Sequence, residues 1–523
     1  MNLNDEYWQS LEFSNKDIES IYNYLLEIET PIPITELTKF LIENRINDEK
    51  KHLIQTRKSD GTQYFPKDTY KKGQSLIFPH RNYQKGKVFA VRSGNNPEYP
   101  DLEVITVEFG PDDSVEFASN LQKHALNDFR PAEDVDDSFN PIAVNAKFGN
   151  SLAAKLAEEL SKNEDLINIA GNYFPRSLLV DVSVGHLNLA EAVLEMADGG
   201  PMLSCDLINQ IELPTDVNAN LTEFSMNYAL QEDPRFDEVG PSGETLWFLQ
   251  RFEPDEVQNV PFTLKYAEQP ITLPDDLKQY TNFGPEFNDE LEPGAICDAV
   301  DEVTISLTYP HWRAGTLPLT NKLKCLFPTA YETPRVKFTF KDAANGNTFN
   351  GWVVRSARYV YGLSSWYADE GFIPGSLIHI KRGTVPGEMV ISADKKRTTK
   401  DWLKTLLVGA DGGYVFAMLK HTITTSIDDR MAIVTPDIKA VDAIWEKHQK
   451  TKPSLEKIVI NMMRELSKLN PQGHIHAQEL YTAVNLVKRC PPSPIVELLF
   501  TRPWSNHLGD LYFRLDENKI ESK

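Results

Sequence analysis

The chain has few cysteines and no long apolar run. Its four cysteines lie far apart among 523 residues, and none belongs to a CxxC pair (Cys205, Cys297, Cys325 and Cys490). We therefore expect reduced thiols in a cytoplasmic protein, not a disulfide framework or a zinc site. No stretch of 18 or more apolar residues occurs, so no transmembrane helix and no membrane partner are expected. The acidic N-terminus lacks an apolar segment, which argues against a signal peptide.

The usual sequence signatures of catalysis are also missing. The chain has no GxxxxGK[ST] loop, no GxGxxG turn and no GxSxG elbow. Cys490 stands before two prolines without an obvious base, so a catalytic thiol is not expected. We predict no catalytic residue, no cofactor and no metal site.

Two clusters leave alternatives open. His474, His476 and Glu479 could hold a metal, but their position at a helix start favours capping. Asp394 and Lys396 follow a strand, as in the (D/E)xK half of metal-dependent nucleases, and Glu388 or Asp369 would supply a second carboxylate. A metal-dependent nuclease is therefore kept as an alternative function.

Acidic residues outnumber basic ones, and the net charge is −22. A chain this acidic is repelled by phosphates as a whole, so nucleic-acid binding requires a local basic surface. The charge is uneven: residues 231–302 carry 18 acidic and 4 basic side chains, whereas residues 298–404 carry 15 basic and 10 acidic ones. This asymmetry indicates segments with different partners.

The length and the alternating patterns predict a multi-domain α+β protein, in which winged helix-turn-helix modules combine with small antiparallel β-barrels. The expected segments are an N-terminal helix-turn-helix (1–60), an SH3-like barrel (61–127), a partial winged module (142–183), a winged helix (184–253), an acidic connector (254–297), a basic barrel (298–405), a connecting segment (406–452) and a C-terminal winged helix (453–523).

Local signals support these segments. Ser14 and Asp17 can form a capping box for the first long helix. Residues 111–126 are expected to be helical, and two strands are expected around Gly171. The helices before the acidic linker (129–141) could complete the partial winged module. Asn345–Gly346–Asn347 is a hairpin turn of the favoured kind.

Residues 184–253 carry the best-defined pattern. Three short amphipathic segments precede a ribbon with the residues DPRF (233–236), Val239–Gly240, Gly243 and LWFL (246–249). This pattern resembles the HARE-HTH winged-helix group, which includes the delta subunit of bacterial RNA polymerase and modules fused to chromatin proteins and restriction endonucleases. The match is weaker at 453–516. The resemblance implies a small module that binds nucleic acid or protein.

The predicted third helix and wing of this segment are acidic. Such a surface disfavours phosphate contact, so we expect it to bind proteins instead, through Glu232, Asp233, Asp237, Glu238 and Glu244.

Basic residues interleaved with aromatic ones predict the nucleic-acid surface elsewhere. In the basic barrel the aromatic partners are Trp312, Trp352, Tyr359, Tyr361 and Trp366. A basic turn at 394–402 would add phosphate contacts. The expected nucleic-acid-binding residues are Arg313, Lys322, Lys324, Arg335, Lys337, Arg355, Arg358, Lys381, Arg382, Lys395, Lys396, Arg397 and Lys400, with Lys85, Lys87 and Arg92 in the first barrel.

The sequence thus predicts a non-enzymatic regulatory or defence-related protein, which binds DNA through the basic barrel and transcription or defence proteins through acidic winged modules. The alternatives are a protein–protein adaptor of the polymerase delta-subunit type and the nuclease. The sequence does not predict an oligomeric state or a preference between DNA and RNA.

Overall fold

Helices alternate with small, mostly antiparallel sheets, which gives the predicted multi-domain α+β fold. The chain divides into an N-terminal body, Met1–Leu179, and a C-terminal body, Val180–Lys523. The computed structural model describes residues 5–59 (side chains to 51), 62–81, 84–110, 113–128, 140–211, 213, 217–241, 243–267, 273–278, 289–292, 300–329, 335–385, 387–410 and 412–520.

The second helix of the N-terminal body is capped. Ser14 precedes the second helix, and its backbone N–H donates to Asp17 Oδ2 at 2.8 Å, which confirms the predicted capping box. A two-residue strand and a long helix follow. The first elements are α1 (Asp5–Ser10), α2 (Asn15–Ile28), β1 (Ile32–Pro33) and α3 (Ile34–Ser59).

A five-stranded sheet comes next, with its strands in sequence order. The strands are β2 (Thr62–Gln63), β3 (Ser75–Phe78), β4 (Gln84–Ser93), β5 (Glu103–Gly110) and β6 (Asp113–Ser119). The helix predicted over 111–126 is wrong, because β6 occupies its first half and pairs with β5. Closure into a barrel stays a prediction.

The chain then returns to the first helices. It forms α4 (Pro141–Leu160), β7 (Leu166–Ile169) and β8 (Asn172–Pro175). Ile32 of β1 pairs with Tyr173 of β8, so the predicted segments 1–60 and 142–183 share one three-stranded sheet. We call α2, β1, α3, α4, β7 and β8 the first three-helix module; the five-stranded sheet is inserted within it.

The C-terminal body opens with a second three-helix module over the segment that resembles HARE-HTH proteins. Ser183 caps its first helix by accepting from the N–H of His186. Its elements are α5 (Val184–Met196), β9 (Met202–Leu203), α6 (Ser204–Ile211), α7 (Ala219–Glu232), β10 (Phe236–Glu238) and β11 (Leu246–Leu249).

A seven-stranded sheet follows two short helices. Its strand order is β12-β17-β18-β14-β15-β16-β13, and Gly346 occupies the left-handed region in the predicted hairpin turn between β14 and β15. The elements are α8 (Asp255–Gln258), α9 (Asp275–Lys278), β12 (Glu302–Ser306), α10 (Tyr309–Ala314), β13 (Thr316–Pro318), β14 (Arg335–Asp342), β15 (Thr348–Val354), β16 (Tyr359–Tyr361), α11 (Ser364–Glu370), β17 (Leu377–Arg382) and β18 (Glu388–Ser392).

The predicted basic turn at 394–402 is wrong. These residues begin β19 (Lys395–Val408), which forms a long antiparallel pair with β20 (Tyr414–Thr425). We call this pair the β19–β20 ribbon. β21 (Ile433–Val434) joins it over two residues, and α12 (Ile438–Thr451) follows. Threonines and β-branched residues across the pair favour strand over turn here.

A third three-helix module ends the described chain. Ser454 caps its first helix by accepting from the N–H of Lys457. Its elements are α13 (Leu455–Ser467), β22 (His474–His476), α14 (Ala477–Asn485), α15 (Pro492–Thr501), β23 (Ser505–Gly509) and β24 (Tyr512–Leu515).

The three modules share one connectivity. In each, the first strand pairs with the last strand, and the last strand pairs with the middle one. This agrees with the helix and strand order predicted for 184–253 and 453–516. The assignment of the modules to the winged-helix class stays a prediction.

A buried ionic cluster ties the acidic connector to the third module. Arg489, with a side chain 1% exposed, donates to Asp289 at 2.6 Å and to Glu290 at 2.7 Å. Tyr481 donates to the other oxygen of Asp289, and His311 of α10 contacts Glu290 at 3.2 Å. Although burial acts to raise it, Arg489 and His311 hold the pKa of Glu290 well below its usual range.

The cysteines differ from the expectation. Cys205 is a free thiol and Cys490 is buried, but Cys325 is disulfide-bonded; Cys297 lies outside the described residues. The prediction of reduced thiols throughout is therefore wrong, because separation along the chain does not limit which thiols the fold brings together. Among the described helices, none is long and apolar enough to cross a bilayer.

Candidate nucleic-acid interface

Several cations predicted to bind nucleic acid form ion pairs within the protein. Arg335 of β14 contacts Asp237 at 2.7 Å and Glu253 at 3.3 Å. Arg313 of α10 makes two hydrogen bonds to the carboxylate of Asp442, at 3.2 and 2.8 Å. These guanidinium groups hold neighbouring parts of the C-terminal body together. Because carboxylates already compensate their charge, they would attract a phosphate only weakly.

Other predicted cations bind backbone carbonyls. Arg355 donates to the carbonyls of residues 327 and 328, Arg358 to that of residue 290, and Arg382 to that of residue 325. Lys337 lies over the ring of Phe248, and burial lowers its pKa. Burial also lowers the pKa of Arg355. These side chains anchor loops and packing contacts.

Lys322, Lys324 and Lys381 complete the predicted set on the seven-stranded sheet. Lys322 and Lys381 are exposed, whereas Lys324 donates to Asn321 at 3.1 Å. Burial and then the neighbouring Arg358 and Arg355 lower the pKa of Lys324. Of the predicted cations of this segment, Lys322, Arg358, Lys381 and Arg382 are exposed, and the last two are neighbours on β17.

The aromatic residues of this sheet lie mainly inside. Trp352, Tyr359 and Trp366 are buried, and Trp312 and Tyr361 are partly buried. A groove that binds bases needs exposed rings beside exposed cations. The predicted mixture of cations and aromatic rings is therefore not assembled at the surface of the seven-stranded sheet.

The five-stranded sheet of the N-terminal body presents a smaller mixed patch. Lys85 and Lys87 are exposed on β4, but Arg92 pairs with Glu116 at 2.8 Å. Phe89 is 53% exposed, and Lys72 Nζ lies 5.2 Å from its ring centre. Two of the interleaved aromatics, Tyr70 and Phe78, belong to the core of this sheet.

The β19–β20 ribbon keeps most of its cations at the surface. Lys395 contacts Glu370 at 3.1 Å, while Lys396, Arg397 and Lys400 are exposed and have no carboxylate partner among the described residues. Lys420 is also exposed, whereas Lys404 is paired with Glu479 at 2.8 Å. The ribbon is therefore a positive surface in an acidic protein.

An exposed tryptophan lies beside these cations. Trp402 is 60% exposed and pairs across the ribbon with Lys420, whose Nζ lies 5.2 Å from the indole ring. Alternation along β19 places Lys400 on the same face as Trp402. Lys400 is among the residues predicted from the sequence, whereas Trp402 is not, although its position after a DKKRTTKD run was an available signal.

The ends of the ribbon are fixed. Near its start, the N–H of Ser426 donates to the carbonyl of Asp394, and Thr424 donates to the carbonyl of Glu370. Near its turn, Leu406 and Phe416 enter the core formed with α12 to α15. The exposed residues between these ends are held on an ordered two-stranded support.

The acidic residues predicted to bind proteins are partly engaged. Asp233 pairs with Arg235 at 2.6 Å, and Asp237 pairs with Arg335. Glu238 accepts from the N–H of Gly240 at 3.2 Å. Glu232 and Glu244 are exposed. Three of these five carboxylates therefore bond within the protein, and one of them, Asp237, meets an arginine that is distant in sequence.

The residues considered for a metal site or for nuclease chemistry make contacts within the fold. His476 caps α14 and accepts from the N–H of Gln478 at 3.3 Å, which confirms the predicted capping role. Asp394 contacts His379 at 3.1 Å, and Glu388 contacts Lys341 at 3.5 Å. Within the part of the chain that the structure describes, no three His, Cys, Asp or Glu are grouped to hold a metal.

Comparison with known proteins adds no relative. No protein-family model, no curated protein and no solved structure matches this chain. The resemblance of 184–253 to the HARE-HTH group stays a prediction, as does the nuclease alternative.

Proposed function

We propose that this protein binds nucleic acid without enzymatic activity, and that the β19–β20 ribbon makes the phosphate contacts. The supporting observation is the exposure of Lys396, Arg397 and Lys400, which have no carboxylate partner among the described residues. DNA as the partner, a regulatory or defence role, the HARE-HTH resemblance and a cytoplasmic location belong to the same proposal.

The net charge of −22 is compatible with such binding because salt screens distant charges. At physiological ionic strength the screening length is about 8 Å, so a phosphate on the ribbon interacts mainly with charges nearby. The ribbon presents Lys396, Arg397, Lys400 and Lys420 at its surface, while Lys395 and Lys404 are paired with Glu370 and Glu479. The acidic surface of the rest of the protein would repel nucleic acid, so binding would be confined to the ribbon.

The test is a titration of labelled oligonucleotides, followed by fluorescence anisotropy at several salt concentrations. The triple variant Lys396→Gln, Arg397→Gln and Lys400→Gln removes three phosphate contacts. Each contact contributes about 0.7–0.9 to the slope of log affinity against log salt, so we expect the slope to fall by about 2 to 3.

The matched control removes three exposed cations elsewhere in the same body, through Lys439→Gln, Lys450→Gln and Lys452→Gln. It changes the net charge equally and should leave the salt slope nearly unchanged. Equal weakening by both triple variants, or no binding by the unmodified protein at about 50 mM salt, would contradict the proposal.

A second candidate function is the protein adaptor. The observation that favours it is the exposure of three apolar side chains on β20, namely Val415, Met418 and Leu419. In the described structure β20 lies at the edge of its sheet, and an exposed edge can pair with an extended peptide. In the same titration, this function predicts no oligonucleotide binding at any salt concentration.

A further inference from the structure

The exposed indole on the ribbon points to the kind of nucleic acid. Resting on the proposed function, we infer that the β19–β20 ribbon binds single-stranded nucleic acid by stacking a base on Trp402. Single strands offer base faces to protein rings, and stacking on an aromatic side chain is tolerant of base identity.

Trp402 differs from the other tryptophans of the chain. It is 60% exposed, whereas Trp312 is partly buried and the remaining six belong to the core. A ligand that covers the ring would remove its apolar surface from water, which is favourable. The six buried tryptophans are Trp8, Trp247, Trp352, Trp366, Trp445 and Trp504.

The surroundings of the ring fit a nucleotide. Lys420 lies across the ribbon from Trp402, and Lys400 lies two residues away on the same face, about 7 Å along the strand. A base stacked on the indole would therefore have cations on two sides for its flanking phosphates. Lys396 and Arg397 extend the positive surface toward the start of β19.

Duplex binding fits the ribbon less well. A β-ribbon that reads duplex DNA enters a major groove about 12 Å wide and contacts base edges. Here both ends of the ribbon contact other elements: Leu406 and Phe416 enter a core near the turn, and Thr424 donates to the carbonyl of Glu370 near the start. The ribbon presents a face with an apolar ring, and the base faces of a duplex are closed to it.

The experiment compares a labelled 20-nucleotide oligo(dT) with a blunt duplex of equal length. We expect the unmodified protein to bind the single strand at least about 10-fold more tightly than the duplex. Trp402→Leu should weaken single-strand binding about 10-fold. It should leave duplex binding and the salt slope unchanged, since the ring carries no charge. Trp402→Phe keeps a smaller ring, so its affinity for the single strand should lie between those of the unmodified protein and Trp402→Leu.

Tryptophan emission gives a direct second measurement. Stacking should quench part of the emission on addition of unlabelled oligo(dT), and this change should disappear in Trp402→Phe. Met418→Ala, which truncates another exposed side chain of the ribbon, should leave affinity and quenching unchanged.

The outcomes separate the two proposals. If Trp402→Leu binds normally while the Lys396, Arg397 and Lys400 variant does not, the stacking inference is wrong and the proposed function stands. Equal or tighter binding of the duplex also overturns the inference. If neither oligonucleotide binds the unmodified protein, the proposed function itself fails.

Discussion

Arg335 of β14 donates to Asp237 of β10 at 2.7 Å, and this contact joins the seven-stranded sheet to the second three-helix module. Glu253 lies 3.3 Å from the same guanidinium group. Phe248 packs edge-on against Trp352 beside it. Two surfaces predicted to face different external partners, one acidic and one basic, thus face each other within one body.

Removing Arg335 should destabilise this junction. Burial raises the pKa of Glu253 to about 8, so at neutral pH Arg335→Met mainly leaves the partly buried Asp237 carboxylate without its cation, which should cost about 1–3 kcal/mol. The free energy of unfolding from denaturant titration measures the loss. Lys381→Met, an exposed change on the same sheet, should stay within about 0.5 kcal/mol. If Arg335→Met also lost only about 0.5 kcal/mol, the contact between Arg335 and Asp237 would not stabilise the junction.

The cluster around Arg489 should be more sensitive still. Arg489→Met leaves Asp289 and Glu290 buried without their positive partner, for which we expect a loss of at least about 3 kcal/mol. Tyr481→Phe removes one hydrogen bond to Asp289 and should cost about 1–3 kcal/mol. Both are measured by denaturant unfolding.

The control for Arg489 is Arg502→Met, because the exposed pair of Arg502 with Glu456 should contribute less than about 1 kcal/mol. If the two arginine variants lose the same stability, the buried cluster does not hold the connector segment to the third module.

Acid sensitivity should depend on His476. Burial, and then the nearby Arg430, lowers its pKa from 6.5 to about 4 in the fold. The folded state therefore binds fewer protons than the unfolded state between these values. Stability should be complete above pH 6.5 and should fall as the pH drops toward 4, by up to about 1.4 kcal/mol per pH unit.

His476→Asn should remove this acid-dependent loss, since asparagine can accept the same capping hydrogen bond and does not titrate. The measurement is the free energy of unfolding at several pH values. His474→Asn, on the same short strand, serves as the control and should retain the slope of the unmodified protein. If stability depends on pH in His476→Asn as it does in the unmodified protein, other titrating groups cause the acid sensitivity.

Two neighbouring leucines test how the ribbon is held. Leu406 is buried in the core near the ribbon turn, whereas Leu407 is 38% exposed. Leu406→Ala should lower the free energy of unfolding by about 2–5 kcal/mol. Leu407→Ala should change it by less than about 0.5 kcal/mol. Similar losses in both variants would mean that the ribbon does not pack on the third module through this face.

Local patterns predicted the parts of the fold that depend on near neighbours. Capping by Ser14 and His476, the strands on either side of Gly171 and the turn at Gly346 follow from a few adjacent residues. The order of helices and strands in the second and third modules was also predictable from periodicity.

Contacts between distant residues were not predictable in this way. The ion pairs of Arg313 with Asp442 and of Arg335 with Asp237 depend on how elements far apart in sequence meet. A run of basic residues therefore predicts positive charge but not its exposure. The ribbon was missed for a related reason: strand formation by 395–402 depends on its partner β20, since its own residues are polar and exposed.

The insertion in the first three-helix module has a consequence for the order of folding. β1 finds its partner only when Tyr173 has been synthesised, although the five-stranded sheet between them is complete by Ser119. During translation the inserted sheet can fold while its host still lacks two strands and a helix. Closing a loop of this length slows pairing, so we expect the inserted sheet to acquire its structure first and the module around it to close last.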